Sequence, residues 1–244
     1  MSKKDELRAH RAKSKKQTMT LVIILVAFVA VIIAALIIVP QIISNNKPVA
    51  DVIVPAANPR PQANGLNMGD PNAPVKIVEY ADFQCPACQA FVTNIEPTIV
   101  DKYVKTGKAY YSFHPDSFID NFVPNGNESK ASAQAAYCAS DQGKFWEFHD
   151  VVYANQDPTG ENKGAMSDKR LSLMAEKLHL DMTAFNSCYS SGKYKQQVLD
   201  DKTSADSIGV DQTPSLSING KLVVAKDFND MLAQIDAAVT AAGK

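Results

Sequence analysis

The spacing of apolar and polar positions divides the chain into stretches of different period. From Leu21 to Val39 every position is apolar, and no charge occurs between Lys16 and Lys47. As a helix rising 1.5 Å per residue, that run spans about 28 Å, close to the ~30 Å hydrocarbon core of a bilayer. It predicts a transmembrane helix over residues 19–43. The run exceeds the roughly 7–15 apolar residues of a cleaved signal peptide, and Pro40-Gln41-Ile42-Ile43 is a poor cleavage site. Residues 44–66 mix Pro, Asn and Ala without a sustained period and predict a partly extended linker. Beyond it the pattern shortens. Residues 75–80 read as a buried strand, 85–105 as a helix interrupted by Pro97, and 108–113 as a second strand. Helical periods fill residues 129–206. A hairpin of 215–218 and 221–225 turns at Asn219-Gly220, and a last helix covers 228–242. The order is strand, helix, strand, helical block, hairpin, helix.

Charge gives this pattern a direction. The formal net charge of −1 hides an asymmetry: residues 1–16 carry seven bases against two acids, and the rest of the chain sums to −6. A basic flank before an apolar run stays in the cytoplasm, which places residues 1–18 inside and the body outside the cell membrane. An acidic body lacks the basic face that nucleic acid requires. Outside the cytoplasm disulfides persist, so the four cysteines carry weight.

Cys85-Pro86-Ala87-Cys88 stands where a strand gives way to a helix. A helix N-terminus offers unpaired N–H groups and about half a positive charge, which favours thiolate over thiol. Pro86 suits the first turn, where its missing N–H leaves no partner wanting. The spacing sets Cys85 as the exposed reactive sulfur and Cys88 one turn deeper as its resolving partner. A zinc site would need a second close pair of ligands, whereas the remaining cysteines are single and the four histidines scattered; no metal or cofactor is expected. Glu79, on the preceding strand, is placed to relay a proton to or from Cys88. Thr213-Pro214 enters the last hairpin, where proline removes a ladder donor and its peptide bond is open to the cis form. His114 reads as a loop residue. Cys138 and Cys188, in separate helices of the block, are either a structural bridge or two buried thiols; the oxidising compartment favours the bridge.

The stretches Gly69–Val75 and Asp82–Cys88, the run Gln142–Asp150 and the pair Thr213-Pro214 after Gly209-Val210 resemble the DsbA-like family of thioredoxin-fold thiol–disulfide oxidoreductases. The resemblance covers residues 67–244. It implies an α/β thioredoxin fold with a helical insertion at about 116–206, preceded here by the transmembrane helix. It also implies that Cys85 and Cys88 are the redox pair, Glu79 the buried acid and Pro214 a cis-proline facing the sulfurs, with Thr213 beside it. Strongly oxidising members carry His before the second cysteine; here Ala87 removes that side chain. The function expected is oxidation of cysteine pairs in secreted proteins, with reoxidation by a quinone-linked membrane oxidase. The alternatives are a reductase or isomerase, for example in cytochrome c maturation, and a non-catalytic tethered chaperone or metal-binding module.

Overall fold

A computed structural model describes residues 19, 25–36, 39 and 50–243. Residues 1–49 and 50–244 are separate units. In the first, residues 25–36 are helical and exposed. The rest of the expected span at 19–43, and the basic segment 1–18, lie outside the described residues apart from positions 19 and 39. Among the described residues, no helix is long and apolar enough to cross a membrane.

The second unit is built on five strands in the order β1-β3-β2-β4-β5. Strand β2 (Val75–Ala81) is central. It runs parallel to β3 (Ala109–Pro115), with Val75 opposite Ala109, and antiparallel to β4 (Ser215–Ile218), with Tyr80 opposite Ser215. Its side chains alternate between buried and half-buried until Glu79, after which it is buried throughout, as a central strand covered on both faces must be. β1 (Asn67–Met68), a short edge strand absent from the sequence reading, pairs antiparallel with β3. Strand β5 (Lys221–Leu222) pairs with β4 through Asn219 and Gly220, both at positive φ, the geometry of a type I′ turn. It ends three residues before the expected Ala225.

The first long helix divides as Pro97 requires. α1 (Pro86–Asn94) stops at Ile95, α2 (Glu96–Ile99) restarts with Pro97 in its first turn, and a π-helical turn follows at Val100–Val104. Between β3 and β4 lie α3 (Glu128–Ser140), α4 (Phe145–Ala154), α5 (Asp168–Lys177), α6 (Met182–Ser190) and α7 (Lys195–Ser207). Helix α4 joins this block to the sheet: Phe145, Trp146 and His149 pack around Phe113 with ring centroids 4.9–6.5 Å apart. α8 (Phe228–Ala242) covers the sheet from elsewhere, and Phe228 meets Phe91 of α1 edge to face at 5.6 Å. A disulfide joins Cys138 of α3 to Cys188 of α6, with Cα atoms 5.9 Å apart.

The expected linker at 44–66 differs in its described part. Residues 50–66 form a strap on the globular unit: Val52 is buried, and the Ile53 backbone exchanges two hydrogen bonds with the Asn155 side chain at 2.9 and 2.7 Å. Pro61 O accepts from Gly69 N, and the Arg60 side chain is only 8% exposed. The physical reason is Arg60 itself, which answers two acids inside the domain and so holds a segment that lacks hydrophobic periodicity.

Replacing both Cys138 and Cys188 with alanine removes a cross-link spanning 50 residues, worth about 4 kcal/mol in the chain-entropy picture. Denaturant unfolding of the double variant should show a loss of that order, with the m-value raised as the unfolded chain expands. An unchanged midpoint would mean that the bridge adds no stability.

Candidate active site

Cys85 is the residue before α1, in an extended conformation, with Pro86 opening the helix. The turn carrying it is fixed from several sides. Cys85 N donates to Asp82 O at 3.0 Å. The Asp82 carboxylate accepts from Gln84 N and from Ile119 N, both at 2.8 Å. From the helical block, Gln156 Nε2 donates to the carbonyls of Phe83 (2.8 Å) and Cys85 (3.0 Å), and the Tyr153 hydroxyl donates to Asp82 O at 3.3 Å. Gln89 Nε2 returns a bond to Tyr153 O at 2.6 Å. The turn carrying Cys85 is thus clamped between sheet and block.

The two cysteines are in the reduced, unbridged form, and both residues are buried, which corrects the expectation of an exposed Cys85. The difference between them is one of degree: Cys85 keeps 7% of its surface and Cys88 none. That margin has a large electrostatic consequence. The Cys88 thiol donates towards Cys85, the Thr213 hydroxyl adds a bond, and the N–H groups of Cys88 and Ala87 at the helix N-terminus point the same way. Together they outweigh burial and bring Cys85 down from 9.0 to about 6. Burial, the neighbouring Cys85 and the nearby Glu79 push Cys88 well above its ordinary value. One sulfur is therefore a thiolate at neutral pH and the other a thiol.

The Thr213-Pro214 peptide is cis, and it brings the Thr213 carbonyl to 3.3 Å from Cys85 Sγ. That carbonyl accepts from the thiol, whereas the Thr213 hydroxyl donates to the thiolate. Residues 128 positions apart in sequence therefore meet on one sulfur. Glu79 lies wholly buried behind the pair and accepts a short hydrogen bond from the Tyr111 hydroxyl. Burial, with Glu96 nearby, raises it from 4.5 to about 8. Asp82, three residues before Cys85, is raised by burial to about 7 despite its two backbone bonds. His114 does not reach the site; it sits on β3, its ring 4.9 Å from Tyr80 and its Nε2 2.9 Å from Asp201 O.

A family model described as Thioredoxin matches residues 62–237. Probable disulfide bond formation protein D of Bacillus cereus is 32% identical over 173 residues, covering 70% of this chain and 76% of that protein. This chain belongs to the DsbA-like, thioredoxin-fold disulfide oxidoreductases. Among solved structures, Wolbachia pipientis alpha-DsbA1 superposes with a TM-score of 0.59 at 26% identity, covering 75% of this chain and 94% of its own. Oxidised BdbD of Bacillus subtilis gives 0.63 at 20% identity, covering 78% and 99%, a likeness of fold alone. The activity of this DsbA-like chain is protein thiol–disulfide exchange.

Several groups around the site escaped the sequence reading. Tyr153 sits in an ordinary helical pattern, Gln156 opens the polar loop that follows it, and Asp82 reads as a loop acid. Arg60 and Glu96 carried no signal, since an arginine in a Pro-rich stretch and a glutamate before proline are surface residues by default.

The raised Glu79 makes a pH prediction. The folded protein keeps a proton that the unfolded chain releases between about pH 4 and 8, so this group's favourable contribution is full at low pH and is lost as pH rises through about 8. Glu79→Gln, which keeps an acceptor for Tyr111, escapes that loss. Urea unfolding of the oxidised proteins should show the variant gaining stability relative to the parent as pH rises from 4 to about 8. A pH-independent difference would place Glu79 at an ordinary carboxylate value.

Proposed function

We propose that the chain is an extracytoplasmic oxidase of protein thiols, anchored through residues 19–43, with Cys85 as the sulfur that meets substrate and Cys88 as its resolving partner. The observation that carries this reading is the split between the two sulfurs. A cysteine held as thiolate at about 6 stabilises the reduced pair, and a stabilised reduced form makes the Cys85–Cys88 disulfide an oxidant. The helix end, the Cys88 thiol and the Thr213 hydroxyl supply the stabilisation that histidine at position 87 would otherwise add.

In the oxidase direction a substrate thiolate attacks Cys85 Sγ, the Cys85–Cys88 bond breaks, and Cys88 departs with the electron pair and gains a proton. A second substrate thiolate then attacks the substrate sulfur of the mixed disulfide and expels Cys85 as thiolate. The substrate loses two electrons and the cysteine pair gains them. Glu79, buried beside Cys88, is the proton donor, and the cis-Pro214 loop lines the groove that receives the substrate. Substrates are extracytoplasmic proteins with cysteine pairs. A membrane thiol oxidase linked to quinone restores the disulfide.

Two measurements test the roles. Cys88→Ala should accumulate mixed disulfides with partner proteins, and Cys85→Ala almost none; equal trapping would overturn the assignment. The reduction potential, from equilibration with glutathione, should fall nearer the roughly −120 mV of a strong oxidase than the roughly −270 mV of thioredoxin. A value at the lower end would make the protein a reductase instead.

Topology is tested in intact cells. Protease added outside should digest the domain containing Cys85 and spare a short amino-terminal fragment. A released body beginning near Asp51 would show that the anchor is cut.

A further inference from the structure

A second charged cluster lies behind the redox pair, reached from the strap. The Arg60 guanidinium bonds the Glu96 carboxylate through Nη1 at 2.9 Å and Asp150 through Nη2 at 2.6 Å. It also stacks 4.5 Å from the Trp146 ring centroid. Asp150 takes further bonds from Asn58 Nδ2 at 3.1 Å and from His149 Nδ1 at 2.9 Å. Two buried acids, Glu96 and Asp150, thus share one buried arginine, and the buried Glu79 is not in contact with it.

The groups facing Glu79 come from every element around it: Cys88 of α1, Tyr111 of β3, Glu96 of α2, Tyr153 of α4 and Arg60 of the strap, while its β4 neighbour Leu216 is apolar. Arg60 lines a cavity of about 430 Å³ together with Asp150 and Trp146, and another of about 230 Å³ together with Glu96. Glu79 lines neither. Two acids therefore have a cation in contact and a cavity beside them, and the third has a phenol in contact and the Cys88 sulfur within electrostatic reach. Burying a charge without a partner costs far more than burying a paired one.

We propose that Arg60 is a positioning residue for the proton step: by pairing with Glu96 and Asp150 it holds those two as carboxylates and leaves Glu79 as the buried acid that carries the proton for Cys88. This assignment rests on the Cys85–Cys88 exchange argued above. When that disulfide opens, the proton passes from the Glu79 carboxyl to the departing Cys88 sulfur, leaving a thiol and the Glu79 carboxylate. Glu96 keeps its charge throughout, and that fixed negative charge makes Glu79 hold its proton until the sulfur needs it. Asp150 lies below its ordinary value, since His149 and Arg60 outweigh its burial, whereas for Glu96 burial outweighs the pull of Arg60 and raises it. The strap therefore does more than connect: it places the charge that sorts the acids.

The test uses the full chain in its oxidised form. In the infrared difference between the parent and Glu79→Gln at pH 7, in which the contribution of the buried Asp82 cancels, the C=O band of one buried protonated carboxyl should appear. Glu96→Gln removes the like charge and frees Arg60 from one partner, so Glu79 should ionise more readily. Its band should be lost by pH 8, and the break in the pH profile for reduction by dithiothreitol should fall by about one unit or more. Arg60→Met should add a second protonated carboxyl, which disappears in Arg60→Met/Glu96→Gln; Arg60→Lys should restore the parent spectrum. If Arg60→Met does not fold, the Glu96→Gln shift decides alone. An unchanged break in Glu96→Gln, or a second band that survives loss of Glu96, overturns the assignment. Should the parent protein fail to exchange disulfides with dithiothreitol at all, the redox reading itself is wrong. A parent that exchanges normally while the variants leave band and break unmoved defeats only the role of Arg60.

Discussion

The site depends on unequal desolvation across one helical turn. Cys85 stands just outside α1, where the helix end and the Thr213 hydroxyl meet it, and Cys88 stands just inside, where burial outweighs its backbone bond at Asp82. Moving a sulfur inwards by three residues exchanges N–H donors for packed side chains, which reverses the sign of its preference for the thiolate. The sheet serves this asymmetry. Central strand β2 delivers both the turn and Glu79, and it is buried on both faces at the point where they meet.

Holding such a turn still needs bonds from outside the thioredoxin elements. The helical block supplies them through α4 and the residues after it: Tyr153 to Asp82, Gln156 to Phe83 and Cys85. These bonds end on backbone carbonyls, so they fix the position of Cys85 without adding charge to it. The packing of Phe145, Trp146 and His149 on Phe113 keeps α4 in place. The Cys138–Cys188 bridge ties α3 to α6 within the same block. Block and sheet are thus parts of one device, one presenting the sulfur and the other steadying it.

The charged interior follows a simple rule of partnership. Arg60 meets Glu96 and Asp150; Glu79 accepts from the Tyr111 phenol and acts electrostatically on Cys88. A cation in contact favours the ionised form of a buried acid, and burial without one favours the protonated form. The strap at 50–66 belongs to the domain for this reason.

Local features were legible in the sequence because local physics decides them. The Cys-Pro-Ala-Cys turn at a strand–helix junction, the break at Pro97 and the Asn219-Gly220 hairpin all follow from conformational limits of a few adjacent residues. The apolar run at 21–39 and its basic flank are likewise properties of composition alone. Tertiary structure decided what depends on residues far apart. It set the Thr213 carbonyl on the Cys85 sulfur across 128 positions, gave β1 its place at the sheet edge, and brought Arg60 to Glu96 and Asp150. None of these has a signature in spacing, since a charge is visible in sequence whereas its desolvation and its partner are not. Sequence alone could name the two sulfurs; only the folded surroundings could make one of them a thiolate.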